Sequence, residues 1–565
     1  MKIAPRIRLE SLEPRIAPAN LVINGLGTRA TWTDVDGDDV VLTSTAKILD
    51  AADFIWLAQG AGDVGFQLAK LELSDDFASG TTLTFTARRS AAHGGDGFVN
   101  VGWIDAATSD LAAIRVDGDL ARLGVGDINP ATPALGSITV HSGGAIGGLS
   151  QGATISGGPA TVDWIIYGRL GTMTVKGDYG ANLNVFGSSN NRSAGSIGTI
   201  NILGDLFAND PALTDTTIFT GKGAGYLFAS GTIGSVKIAG DIIGGSSTYS
   251  GSVSSLASIT SVTVGGNVSG GRGDYSGEIF ADITLGSVTV GGDLVSGRER
   301  DENGTPTPPF AAGSIGAGMS IGKVTVGGGA FGGASFFGGS IYTPIGSFGK
   351  IGAVTIKGVL SGRTDIFGSG PNASVVFNGI YSDSTIGAVT VGSLFGLNPA
   401  SPVNIVAKGL LNPLTNAQAL AIASVTVTRG MTSAQILAGY SSSLAAVSSD
   451  VQIGPVKIGN SMTGSSIIAG VTSGSDIYFG NTDDVSAASV NQLDNPLIRS
   501  RIASVTVGSY IYGTGSANDA FAIEAEDIGA VKIGPTVLPM TVRSALANSD
   551  DFLLGVTHDF RVREF

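Results

Sequence analysis

Asp34, Asp36, Asp38 and Asp39, in the phrase TDVDGDD, form the densest set of side chains able to do chemistry. Calcium, a hard cation, takes several oxygen ligands from a short flexible loop, and three or four carboxylates stand ready here. The spacing departs from an EF-hand: Gly37 stands fourth and Thr45 twelfth, where that loop needs glycine sixth and glutamate twelfth. A solvated turn between two strands explains the same residues, so a calcium site and a plain turn both stay open. A second acidic set recurs at one place in a repeat. Asp119, Asp178, Asp205, Asp241 and Asp293, with Asn267 in register, each directly follow a glycine. Stacked aspartates repel unless they are hydrogen-bonded or bridged by a cation. Gly-Asp is also ordinary turn chemistry, the side chain capping nearby backbone, and that is the expectation adopted. Asp476, Asn481, Asp483 and Asp484 offer a further oxygen set with no ligand-like spacing. Arg272-Gly273-Asp274 spells an adhesion tripeptide, a match that arises readily by chance in a glycine-rich chain.

Catalytic constellations are scarce. The chain has no cysteine, which excludes disulfides, thiolate catalysis and zinc–cysteine sites. Its three histidines, His93, His141 and His558, are scattered, and none falls between residues 142 and 557. There is no GxSxG elbow and no Walker-type phosphate loop. A net charge of −14, from 46 acids against 32 bases, argues against nucleic acid, which needs clustered Lys and Arg. No uninterrupted apolar run is long enough to cross a membrane as a helix.

The elements that must position these residues come from a repeat. A six-residue phrase, Ile/Leu–small–any–Val–polar–Val/Ile, begins at Leu111, Leu135, Leu170, Ile197, Ile233, Ile259, Leu285, Ile321, Ile351, Ile386, Ile422, Ile453, Ile502 and Ile528. Its alternation of β-branched and polar residues is the period of a half-buried strand. Spacings of 24 to 49 residues fix one strand while the rest of each unit varies. Glycine corners and two further short apolar segments follow in most units, as in DIIGGS (241–246) and SGEIF (276–280). With 87 glycines in 565 residues and only 14% charged residues, the composition suits short strands and tight turns. The fold expected is all-β: a parallel β-helix, or β-solenoid, of about 13–14 coils with a small N-terminal β-domain. Thirteen steps of ~4.8 Å make a rod ~60 Å long. The expected division is 1–20 as an export or sorting segment, 21–98 as a small β-domain and N-cap, 99–540 as the solenoid, and 541–565 as a C-terminal cap. Outward Ser/Ala and Thr columns look like the hydroxyl ladders of ice-binding solenoids, but Arg115, Asn201, Lys237, Lys457 and Lys532 interrupt the threonines.

The N-terminus, MKIAPRIRLESLEPRIAPA, is basic and lacks the apolar core of an ordinary signal peptide. Its run Leu12-Glu13-Pro14-Arg15-Ile16 resembles the LEPR-XLL motif of long, repetitive, surface-associated proteins of Planctomycetes and Verrucomicrobia. Family versions continue with two leucines, whereas Ile16-Ala17-Pro18 follows here. The phrases at 30–43 and 96–106 and the SVTVGG copies are similar to such proteins as well. The resemblance implies export and a solenoid, and no activity. The expectation is an extracellular or cell-surface bacterial protein of structural or adhesin-like role, binding surface glycans, other surface proteins or further copies of itself. Loops at 297–310 and 473–500 are expected to project and carry that binding. The alternatives are a polysaccharide-acting parallel β-helix enzyme, which needs three or more carboxylates and an Arg or Lys converging in one groove, and an ice-binding face. No cofactor is expected, calcium at the four aspartates excepted.

Overall fold

A computed structural model describes residues 21–57, 62–73, 78–127, 129, 132–144, 162–188, 190–208, 225–297, 312–332, 345–347, 349–362, 379–487, 494–541 and 549–565. About 53% is strand and 2% helix. All fourteen phrases stack in parallel with their first residues in direct register, from Leu111↔Leu135 through Ile259↔Leu285 to Ile502↔Ile528. The chain is an all-β parallel solenoid, and the phrase is its first face.

Two shorter faces complete each coil. The second is a column of two-residue strands: Leu206–Phe207, Ile242–Ile243, Val268–Ser269 and Leu294–Val295 stack in order. The third stacks Asn182–Phe186, Leu227–Ala229, Val253–Ser255, Ile279–Ala281 and Ile315–Ala317. On every first-face strand the first, fourth and sixth residues point inward. In Ile259–Val264, for instance, Ile259, Val262 and Val264 are fully or almost fully buried while Thr260 and Thr263 are exposed. One continuous apolar core results, running from Ala30 to Val562.

The ends are closed by strands that run the other way. Val22–Ile23, Arg29–Thr33, Asp39–Ser44 and Thr81–Arg88 form an antiparallel sheet, and Thr81–Arg88 then pairs in parallel with Leu111–Gly126. Asp39–Ser44 and Thr81–Arg88 therefore continue the first face, while Phe54–Trp56 and Leu68–Glu72 stack through Val101–Ala107 onto the third, and both sets share the core. At the other end Asp551–Leu554 folds back on Phe560–Glu564, which lies in parallel on Phe521–Ala525. The end of the last first-face strand, Asp527–Ile533, is paired at Lys532 and Ile533 by Thr536–Val537, which blocks that part of an edge that would otherwise invite pairing. Among the described residues no helix is long and apolar enough to cross a membrane. The N-terminal segment 1–20 and nearly all of the 297–310 loop lie outside the described residues.

Candidate functional site

The acidic corner is the tight turn joining Arg29–Thr33 to Asp39–Ser44. Asp34 Oδ1 accepts the amides of Gly37 (3.2 Å) and Asp38 (2.8 Å), and Gly37, at φ +109°, lets the chain reverse. The turn packs on residues 93–97: Asp36 Oδ2 accepts the Asp96 amide at 3.0 Å and Asp38 Oδ2 the Gly97 amide at 2.6 Å. One carboxylate oxygen from each of Asp34, Asp36 and Asp38 lies within 4.8 Å of the others. Burial, aided by the Asp36 carboxyl, pushes Asp34 up to about 8; burial also raises Asp38, helped by Asp36 and Asp96. Asp38 Oδ1 is buried and accepts no hydrogen bond. Asp39 is not in this group. It is exposed at the start of its strand, opposite Thr33 and Arg88. Asp96 is the acid that sequence spacing missed, since only the fold brings it beside Asp38.

The aspartate column is a hydrogen-bonded ladder. The amide of Asp205 donates to Asp178 Oδ1, that of Asp241 to Asp205, Asn267 to Asp241, Asp293 to Asn267 and Gly329 to Asp293, all at 2.5–2.9 Å. From Asp178 onward each carboxylate therefore caps backbone in the next coil, whereas Asp119 Oδ1 accepts the Ser142 hydroxyl at 2.7 Å. The preceding glycines make room for these caps. A Cβ on Gly204, Gly240, Gly266 or Gly328 would stand within 2.1 Å of the acceptor oxygen of the coil before. The turn reading accounts for this column without a cation.

Of the 473–500 segment, residues 488–493 lie outside the described residues, and 473–487 pack back on the rod with only 474–477 and two further positions exposed. They lie across the third face, where Phe479 packs on Tyr440 over an outward column of Tyr381, Val406, Leu437 and Ile468. Asp484 and Glu524 both pair with Arg563 Nη2, at 3.1 and 2.8 Å. The four-residue oxygen set is divided among local bonds: Asp476 and Asp483 cap turn residues, and Asp484 accepts from Gly480. Burial pushes Glu524 up to about 8 and Asp484 up to about 6. An acid held neutral by the fold but ionised in the unfolded chain contributes stability below its ordinary range that is lost as pH rises through the folded value. The melting temperature is therefore expected to fall from about pH 4 to about pH 8, and Glu524→Gln to flatten that slope. Thermal melts across this range check it; an unchanged slope in the variant overturns it.

Arg272-Gly273-Asp274 is locked onto the preceding coil. The Arg272 amide donates to Gly245 O, Asp274 O accepts from the Tyr249 amide, and a Cβ on Gly273 would meet Ser247 O at 2.1 Å. Just beside this corner lies a groove of about 420 Å³ on the third face, lined among others by Tyr226, Phe228, Tyr249, Tyr275, Glu278, Phe280 and Asp282. Its depth comes from Ser254, a small residue stacked between Phe228 and Phe280. The outward threonines run uninterrupted from Thr263 through Thr289, Thr325, Thr355 and Thr390 to Thr426, between Lys237 and Lys457. Lys323 breaks the parallel Ser/Ala column.

No known protein family, curated protein or solved structure matches the chain. The class defined by fold and corners is a three-faced parallel β-solenoid with capped ends.

Proposed function

We propose that this is a structural, adhesin-like solenoid displayed on a bacterial surface or released outside the cell, acting by binding rather than catalysis. The observation that carries this reading is the rod itself: fourteen strands in unbroken register, their polar corners engaged in holding neighbouring coils together. Its partners would be surface glycans, other surface proteins or further copies of the chain. The LEPR-like residues 12–16 support export. The polysaccharide-acting alternative gains less support, because the groove is lined by two carboxyls and no Lys or Arg among the described residues. Antibody labelling of intact cells, beside supernatant and lysate, tests the reading. Labelled cells are expected. Protein found only in the supernatant fits the released form and calls for polysaccharide substrates to be screened, and signal confined to the lysate overturns export.

Calcium belongs to the same proposal. Asp34, Asp36 and Asp38 would hold the ion, which would replace their shared proton and clamp the 34–38 turn to the 93–97 loop. The buried, unbonded Asp38 oxygen fits that charge. Calcium at about 1 mM is expected to raise the melting temperature by a few degrees, as for extracellular modules of modest affinity. Asp36→Asn should abolish the shift. No shift in the parent chain, or an equal one in the variant, removes the ion from the account.

A further inference from the structure

The groove on the third face is built from two neighbouring corners of similar sequence, Thr248-Tyr249-Ser250-Gly251 and Asp274-Tyr275-Ser276-Gly277. Both tyrosines hold left-handed backbone, at φ +61° and +58°, where a bulky residue is strained and glycine or asparagine would be cheaper. Ser250 and Ser276 fix the two corners by accepting the Gly245 and Gly271 amides, each at 2.8 Å. The strain sets the Tyr249 and Tyr275 rings parallel, 4.8 Å apart, as one wall. Phe228 and Phe280 stand on either side of Ser254, two coils apart, about 9.6 Å at the backbone. Tyr226 adds a fifth ring, its hydroxyl already donated to Asn184 Oδ1 at 3.0 Å.

The charged groups lining this space are carboxyls. Glu278 is 5% exposed, Asp282 is exposed at the rim, and no Lys, Arg or His lines the cavity among the described residues. Hydroxyl donors are present, from Tyr249, Tyr275 and Ser254 among others, but a neutral sugar ring would leave the two carboxyls without an opposite charge. Aromatic faces around a carboxylate instead attract a cation that carries hydrocarbon, through the ring quadrupole and the opposite charge together. We infer that the groove binds an organic ammonium group, seated between the aromatic rings with Glu278 as its counter-ion. Burial and the Asp282 charge hold Glu278 well above the usual carboxylate range; Arg192 acts on Asp282 from outside the lining, and the guest would supply the positive charge that Glu278 lacks. This inference stands on the groove alone and does not depend on where the protein resides.

Calorimetric titration of the full chain with choline and with glucosamine tests it. The controls are methyl glucoside and the uncharged choline analogue with carbon in place of nitrogen. At least one of the two cations is expected to bind at about 1 mM or tighter, with the analogue and methyl glucoside far weaker. Binding of choline alone assigns a methylated ammonium ligand, and binding of glucosamine assigns an amino sugar. Glu278→Gln should weaken binding about tenfold, and so should Tyr275→Asn, which tolerates the left-handed backbone and so keeps the corner while removing the ring. Unchanged circular dichroism in both variants separates lost binding from lost folding. Equal binding of the neutral analogue or of methyl glucoside overturns the inference. So does unaltered affinity in both variants, or no binding of either cation at about 50 mM.

Discussion

Val262→Asp is expected to leave the middle of the rod unfolded. Val262 is 1% exposed and stacks between Val236 and Val288, so an aspartate there has apolar side chains above, below and opposite. An unpaired buried carboxylate costs several kcal/mol even when it neutralises. Coils contact only their neighbours, so the damage falls on two interfaces at once while the outer coils keep theirs. Thermal unfolding should split into separate transitions for the flanking segments, and limited proteolysis should cut near Val262. Ile233→Val, which removes a single methylene from the same core, should cost about 1 kcal/mol and leave one transition. A cooperative melt of Val262→Asp near the parent temperature would falsify the stacked core.

Gly266→Ala carries the next largest effect. Its Cβ would stand 1.9 Å from Asp241 Oδ1, the atom that accepts the Asn267 amide. Displacing that carboxylate leaves a backbone N–H unpaired in the ladder, a loss of about 1–3 kcal/mol. Asp241→Asn should be nearly neutral, since Asn267 already fills the same role in the following coil. Gly286→Ala makes a useful contrast. Its Cβ would approach Thr260 O at 2.3 Å, yet Thr260 itself occupies the equivalent position one coil earlier, so a side chain is accommodated there. Denaturant titration should place Gly266→Ala clearly below Asp241→Asn. A ladder held by backbone amides should also be insensitive to chelators.

The first face is legible in the sequence because its alternation is strict: β-branched residues at the fourth and sixth positions cannot turn outward without exposing the whole stack. The Gly-Asp pairing is visible too, though its reach into the next coil is not. Two features escape for physical reasons. The composition of 473–487 suggests a projecting loop, but Val403–Ala407 and Phe521–Ala525 are buried at every position. Strands buried on both faces call for a cover; the outward Val406 of VNIVA hints at one, whereas Asn404 and Glu524 make the outward positions of VNIVA and FAIEA read as solvent-facing. The groove draws on residues from Asn184 to Asp282, which meet only after coils of unequal length are stacked. Aligning the two tyrosine corners at their 26-residue offset would expose one wall; nothing in the sequence shows that Ser254 leaves the space between two phenylalanines.

The aspartate ladder has a direction. In every rung the acceptor belongs to the earlier coil and the amide to the later one, from Asp178 up to Gly329. A chain emerging with its N-terminus leading therefore finds each landing point already built, and every coil laid down prepares the next. Growth by that rule is vectorial, like a zip closed from one end. It also makes the coil a unit of inheritance: a whole 26-residue turn such as 259–284 could be duplicated or lost, and the rungs on either side would still meet.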